Sequence, residues 1–188
     1  MSDAPRLLLD ACVLYPVATR EILLNYAKAG GFAPVWSARI LEEWARAAGA
    51  KMGAEDEMRA RGDAALLGAS FPGGEALGYE AREPEVWSPD PADAHVIAAA
   101  LAGKAEAIIT FNIRDFPLKA VRPHGLWRLH PDEYLSDAMK QDGARLSAAL
   151  GGLAALANAR DMPFRTFLKR AGLPRLGKAY ARLIEGIA

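Results

Sequence analysis

Cysteine is nearly missing: Cys12 is the only one in 188 residues. No intrachain disulfide can form, and a reducing compartment is compatible with that. Histidine is scarce as well, and His95, His124 and His130 have no zinc-type spacing with Cys12. An excess of one charge is also lacking, since 23 basic residues balance 23 acidic ones. Net charge therefore argues neither for nor against nucleic acid, which needs a local patch rather than a global surplus. No uninterrupted apolar stretch approaches the roughly 18–20 residues of a membrane span. The N-terminus lacks a basic region followed by an apolar run and a small-residue cleavage site. The expectation is a soluble, cytoplasmic protein with no membrane role. Internal repeats and low-complexity tracts are absent.

What is present is ordinary globular composition, 52% apolar and 24% charged, enough for one domain with a small appendage. Residues 6–14 (RLLLDACVL) open with a continuous apolar run, as expected of a strand buried on both faces, and Tyr15-Pro16 breaks it. Residues 17–29 have helical spacing and stop at Gly30-Gly31. Residues 32–36 read as a second strand, and Ser37 caps the helix after it. A polar helical stretch follows over 53–68, then a turn at Phe71-Pro72-Gly73-Gly74. Short strands are expected around Leu77 and Tyr79 and around Val86 and Trp87. Asp90-Pro91-Ala92-Asp93 starts a helix. Residues 105–110 and 126–129 read as strands, and Pro131 begins another helix. This β-α-β-α-(α)-α-β-α order implies an α/β sandwich around a parallel sheet. Residues 136–188 show no strand pattern, with helix stops expected at Gly151-Gly152, Gly172 and Pro174. The expected division is a domain over 1–135 and a C-terminal helical extension over 136–188.

Ligands of open parallel sheets bind beyond the carboxyl ends of the strands. Asp10 falls at such an end, as do Thr110 and Asn112, with Asp115 three residues on. An aspartate inside LLLDACVL is costly unless paired. A cation would offset that cost, and so would backbone amides at the strand end. On the helix after Ser37 the apolar face centres between Ile40, Leu41 and Trp44. Glu42 points away from it, whereas Glu43 lies at its rim and can reach a cleft beside the core. Asp90 and Asp93 fit a local capping role as well as a functional one. His95, two residues from Asp93, reads as a core or surface residue before a pocket-facing one, and Trp36, Trp44, Trp87 and Trp127 read as core or as base-stacking platforms. From residue 160 to 185 there are seven basic residues and two acidic ones, which fits solvated helix faces or a phosphate-contacting surface.

Two enzyme classes fit poorly. A haloacid-dehalogenase-type phosphatase would want a second aspartate where Cys12 stands. A dinucleotide-binding domain would want a glycine-rich turn after the first strand, and ACVLYP has none.

The segment DPADAHVIAAALAGKAEAIITFNIRDFP (90–117) resembles the C-terminal half of PIN domains, in the branch with a TFN-x-x-DFP turn. LLLDACVL (7–14) is similar to that family's opening strand and first aspartate. SARILEE (37–43) resembles its serine-started helix, with the acid six residues on at Glu43. PDEYL (131–135) resembles the end of the domain. The resemblance covers roughly residues 6–135. It implies a PIN-like three-layer α/β sandwich with an acidic pocket for Mg2+ or Mn2+, and a ribonuclease of the VapC-like toxin type. By position, Asp10, Glu43 and Asp93 take the catalytic places. Asp10 and Asp93 would be metal ligands, Asp115 and Asn112 secondary ligands, and Glu43 a ligand or water-orienting base. Thr110 and Arg114 fall to the substrate side, and Thr110 is also placed to hydrogen-bond Asp10. Asn112 departs from the aspartate most PIN domains carry there. RNA, a protein antitoxin and a homodimer are the implied partners. The competing reading is a non-catalytic PIN-like module that binds RNA or protein.

Overall fold

The computed structural model describes residues 4–185. The outer ends of the two expected domains, residues 1–3 and 186–188, lie outside the described residues. The chain forms two compact units, one of residues 1–15 and 32–129, the other of residues 16–31 and 130–188.

The first unit holds a four-stranded sheet of β1 (Arg6–Leu9), β2 (Ala33–Val35), β3 (Ala107–Ile109) and β4 (Trp127–Leu129). All pairings are parallel, in the order β2-β1-β3-β4. β4 (WRL) is partly exposed, whereas β1, β2 and β3 are short and mostly aliphatic, as in a covered parallel sheet, with Leu8, Leu9, Val35, Ile108 and Ile109 fully buried. Each such side chain contributes about 1.5–3 kcal/mol on leaving water. This is the parallel α/β architecture the residue pattern predicts.

The opening strand is shorter than its apolar run. After Leu9 the chain turns at Asp10 into a single helical turn, α1 (Ala11–Leu14). Val13 and Leu14 stay fully buried in that turn, so the apolar run marks continued burial and not continued strand. The helix α2 (Val17–Lys28) then belongs to the second unit.

Ser37 starts α3 (Ala38–Met52), its hydroxyl accepting the Ile40 N–H at 3.3 Å. Ile40, Trp44 and Ala48, one turn apart, form its buried stripe. α4 (Ala54–Ser70) follows, with Glu55, Asp56 and Glu57 favourably placed in its first turn. Glu42 faces out toward Arg46 and Arg61 in an exposed network. The short strands expected near Tyr79 and Val86 do not form. Tyr79–Glu85 is a 3-10 helix, and Leu77 and Trp87 are exposed, so these apolar residues have no sheet face to enter. Asp90 caps the next turn, accepting the Ala92 N–H at 2.9 Å, and Pro91 takes the first helical position. That 3-10 turn, Pro91–Asp93, runs into α5 (Ala94–Ala102). Residues 94–100 are all buried, so α5 is a core helix with no solvent face. Gly103 ends it where a Cβ would meet the Val35 side chain, so only glycine lets this end lie against β2. α6 (Leu118–Val121) connects onward to β4.

The second unit is helical: α2, α7 (Pro131–Gln141), α8 (Gly143–Ala159), α9 (Phe164–Arg170) and α10 (Pro174–Glu185). The stop expected at Gly151-Gly152 does not occur. Both glycines lie on the exposed side of α8, whose Leu146, Leu150, Leu153 and Ala157 are buried. Glycine costs about 1 kcal/mol in a helix, which that stripe outweighs. Gly172 does end α9, in the left-handed region at φ +79°, with the Leu173 N–H closing on the Leu168 carbonyl at 2.9 Å. Pro174 opens α10 instead of stopping a helix. The buried Asp132 carboxylate on α7 accepts the N–H groups of Arg175 (3.0 Å) and Leu176 (2.9 Å), capping α10 from another helix. Among the described residues, no helix is long and apolar enough to cross a membrane.

Candidate active site

The strand order reverses direction between β1 and β3, because β2 lies on one side of β1 and β3 on the other. A ligand crevice is expected at that switch point, beyond the strand ends. Leu9 pairs with Ile109, so Asp10 and Thr110 are the next residues on adjacent chains. The Asp10 N–H still bonds the Ile109 carbonyl at 3.2 Å.

Asp10 is 7% exposed. Its Oδ2 accepts the Thr110 hydroxyl at 2.7 Å and the Cys12 thiol at 3.0 Å. No other donor among the described residues bonds the carboxylate, so Oδ1 is available to a cation. Thr110 is fully buried, and its oxygen also accepts the Asn112 N–H at 2.9 Å. With its hydroxyl bonded on both sides, Thr110 holds the Asp10 carboxylate in place. The Cys12 sulfur accepts the Phe111 N–H at 3.2 Å and lies 3.3 Å from the Thr110 oxygen. Burial first, and then the Asp10 charge, push the thiol from 9.0 to about 12. Cys12 is thus a neutral donor to Asp10 and not a nucleophile.

Asp93 ends the turn that leads into α5. Burial and, in falling order, the charges of Asp115, Asp90 and Asp10 push its carboxyl from 3.8 to about 6, with His95 opposing them. Asp10, Asp93 and Asp115 therefore share one electrostatic neighbourhood although they come from three separate segments. Glu43 faces the same helix start. His95 on α5, 1% exposed, brings its Nε2 to 3.0 Å from the Glu43 carboxylate. Arg39, one turn earlier on α3, adds its Nε at 3.3 Å. Burial raises Glu43, but these two partners hold it below the usual carboxylate range. The buried His95 Nδ1 has no hydrogen-bond partner among the described residues.

Asn112 and Arg114 are exposed in the turn after β3, and Asp115 is half-buried. The Asp115 N–H bonds the Asn112 carbonyl at 3.0 Å, which closes that turn. Trp36 and Trp44 are core residues. Trp87 and Trp127 are about half exposed, with Lys119 and Arg122 lying over their rings. The His130 ring nitrogen Nδ1 accepts the Asp132 N–H at 3.2 Å, at the start of α7.

Three contributors escape a reading of the sequence. Cys12 stands two residues after Asp10, which is informative only once the chain is known to turn there. His95 sits in a run of apolar residues that favours a core reading, its two-residue spacing from Asp93 being the one pointer to the pocket. Arg39 joins Glu43 to the Ala92 carbonyl at 3.2 Å and to Glu83 at 3.6 Å, fastening α3 to the Asp93 turn. Its spacing of four residues from Glu43 is the one signal available.

Among the described residues, no three histidine, cysteine or carboxylate groups stand close enough to hold a metal ion by themselves. The donor set still suits a hard cation. Mg2+ commonly takes one or two carboxylates and keeps several waters, and Asp10, with one carboxylate oxygen bonded by Thr110 and Cys12 and in the electrostatic neighbourhood of Asp93, fits that habit.

A family model described as PIN domain matches residues 6–114. Over 47 residues the chain is 45% identical to a Mycobacterium tuberculosis (strain ATCC 25618 / H37Rv) protein named "Putative ribonuclease VapC50". That stretch covers 25% of this chain and 28% of that protein. No solved structure matches the chain. The family model spans more than half of the sequence and takes in β1, β2, β3 and the strand-end Asp10; this chain belongs to the PIN-domain family.

Proposed function

We propose that this chain is a divalent-metal-dependent endoribonuclease and the toxin of a toxin–antitoxin pair. The observation that carries the reading is the buried strand-end Asp10, held on one oxygen by Thr110 and Cys12, in one neighbourhood with Asp93, whose carboxyl burial and the charges of Asp115, Asp90 and Asp10 push up. Carboxylates so placed repel one another, and a divalent cation relieves the repulsion.

Asp10 and Asp93 would hold Mg2+ or Mn2+, with Asp115 and Asn112 as outer ligands, directly or through water. Bound there, the ion supplies charge to polarise a phosphate oxygen and to acidify an attacking water. Thr110 and Cys12 fix the Asp10 carboxylate through Oδ2. Glu43, kept ionised by Arg39 and His95, orients the water and accepts its proton. Arg114, exposed in the turn after β3, is the cation for the RNA phosphate. RNA as substrate draws on the relative's printed name, and pairing with a protein antitoxin draws on the resemblance to VapC-like toxins. Homodimerisation, a cytoplasmic site of action, and a nuclease domain over 1–135 with a helical extension over 136–188 complete the proposal.

A second reading, a non-catalytic PIN-like module for RNA or protein, is favoured by Asn112 and by the lack of a three-group metal cluster among the described residues. Cleavage of a mixed RNA pool separates the two. Wild type, Asp10→Asn and Asp93→Asn are compared with Mg2+, with Mn2+ and with EDTA. Cleavage by wild type alone, abolished by EDTA, is expected. Binding that survives Asp10→Asn, with no cleavage in either ion, would establish the binding module instead.

A further inference from the structure

We propose that the cleft between α9 and α10 is a separate RNA-binding site that grips the phosphate backbone of a single strand. That the polyanion is RNA rests on the nuclease reading above; the cleft itself does not. Its volume is about 490 Å3, and Arg165, Thr166, Lys169, Pro174 and Lys178 line it. None of these belongs to the carboxylate pocket, and none is acidic.

The three cations have no ion pair or hydrogen bond among the described residues. Their neighbour Arg175, by contrast, is paired with Glu133 at 2.6 Å. Arg165 and Lys169 lie four residues apart, on one face of α9, where like charges repel. The arrangement thus does nothing for the fold and is accounted for by an anion. Thr166 adds a hydroxyl that donates to a phosphate oxygen.

The frame beneath is closely packed. Leu168, Leu173 and Leu176 are fully buried. Phe164 stacks on Phe167 and meets Tyr180 edge-on. At Gly177 a Cβ would lie 3.4 Å from the Arg165 carbonyl and 3.5 Å from the Leu168 Cβ, so α9 and α10 cross closely there. The first N–H groups of α10 are taken by Asp132, so the side chains, and not a helix end, make the site. The surplus extends beyond the cleft: Arg160, Arg170 and Arg182 put the same charge on the same stretch. One small anion cannot neutralise that many cations, whereas a polymer of phosphates can.

The test is equilibrium binding of a mixed-sequence single-stranded RNA to the full chain in EDTA, where no cleavage is required. Arg165→Gln/Lys169→Gln/Lys178→Gln is compared with wild type and with the charge-matched control Lys28→Gln/Arg59→Gln/Arg82→Gln. Removing three phosphate contacts is expected to lower the salt slope by about 2 and to weaken binding about 100-fold near 0.1 M salt. The control is expected to change neither quantity by a comparable amount. Equal affinity and slope for the cleft variant would overturn the proposal. So would wild type binding anionic phospholipid vesicles but not RNA. Photo-crosslinking of thiouridine-containing RNA to wild type needs no variant. Adducts within 160–182 support the site, and adducts confined to 4–129 refute it. Cleavage by wild type alongside unchanged binding by the cleft variant removes this site and leaves the nuclease reading. Cleft-dependent binding with no cleavage in any ion does the reverse.

Discussion

Asp93→Asn should kill cleavage and, in the absence of metal, make the protein more stable. The Asp93 carboxyl is raised from 3.8 to about 6, a shift worth about 3 kcal/mol if taken whole. The side chain is only half-buried, so solvent screening reduces that to about 1–2 kcal/mol. The anion also sits at the N-terminus of α5, which favours it by about 0.3–1 kcal/mol. A net gain of about 1 kcal/mol remains for the variant, or roughly 2–4 °C in melting temperature for a chain of this size. The sign follows from linkage. A carboxyl raised in the folded state contributes stability that is complete below 3.8 and is lost as pH rises through about 6. Asparagine never ionises and keeps what the aspartate loses. The gap should therefore be full at about pH 7.5 and shrink to roughly a third near pH 4.5. Thermal unfolding of both proteins in EDTA at the two pH values measures it. Added Mg2+ or Mn2+ should then reverse the order, stabilising wild type and not the variant. A variant that melts at or below wild type near pH 7.5, or a gap that stays constant on acidification, would refute the idea that Asp93 is held under charge repulsion.

Other consequences are open to simpler assays. With its thiol moved from 9.0 to about 12, Cys12 should alkylate about 1,000-fold more slowly than an ordinary thiol at mildly basic pH, recovering on denaturation; fast labelling of the native protein would contradict its role as a neutral donor. Thr110→Val leaves Asp10 Oδ2 and the Asn112 N–H each short of a partner, so it should cost about 1–3 kcal/mol in denaturant unfolding. It should also weaken metal binding, whereas Thr110→Ser restores both; an indifferent Thr110→Val would show that Asp10 is oriented by other contacts. Gly103→Ala drives a methyl into the Val35 side chain and should cost about 1–3 kcal/mol; a wild-type midpoint would mean that the end of α5 packs more loosely against β2.

The sheet was legible because its signal is local. RLLL, AII and the capped helix starts at Ser37 and Asp90 each state their structure within a few residues, and parallel pairing follows from the alternation of elements. The segments that misled are those where burial and conformation part company. ACVL has a strand's composition but is a buried helical turn, because the bend at Asp10 depends on pairing with Ile109, a hundred residues away. Gly151-Gly152 looks like a break, yet α8 continues because its other face is buried. Leu77 and Trp87 look like strand residues and have no sheet to join. The pocket divides in the same way. Asp10 and Glu43 could be singled out from periodicity, since a carboxylate in an apolar run or at a stripe's rim is anomalous by itself. Cys12, His95 and Arg39 could not, because each is ordinary in its own segment. Their roles arise from pairings across the fold: thiol to Asp10, imidazole to Glu43, guanidinium to the Ala92 carbonyl. A sequence shows where a charge is out of place. What makes that charge tolerable is set by tertiary contacts, and those contacts also decide whether Asp10 and Glu43 can act in chemistry.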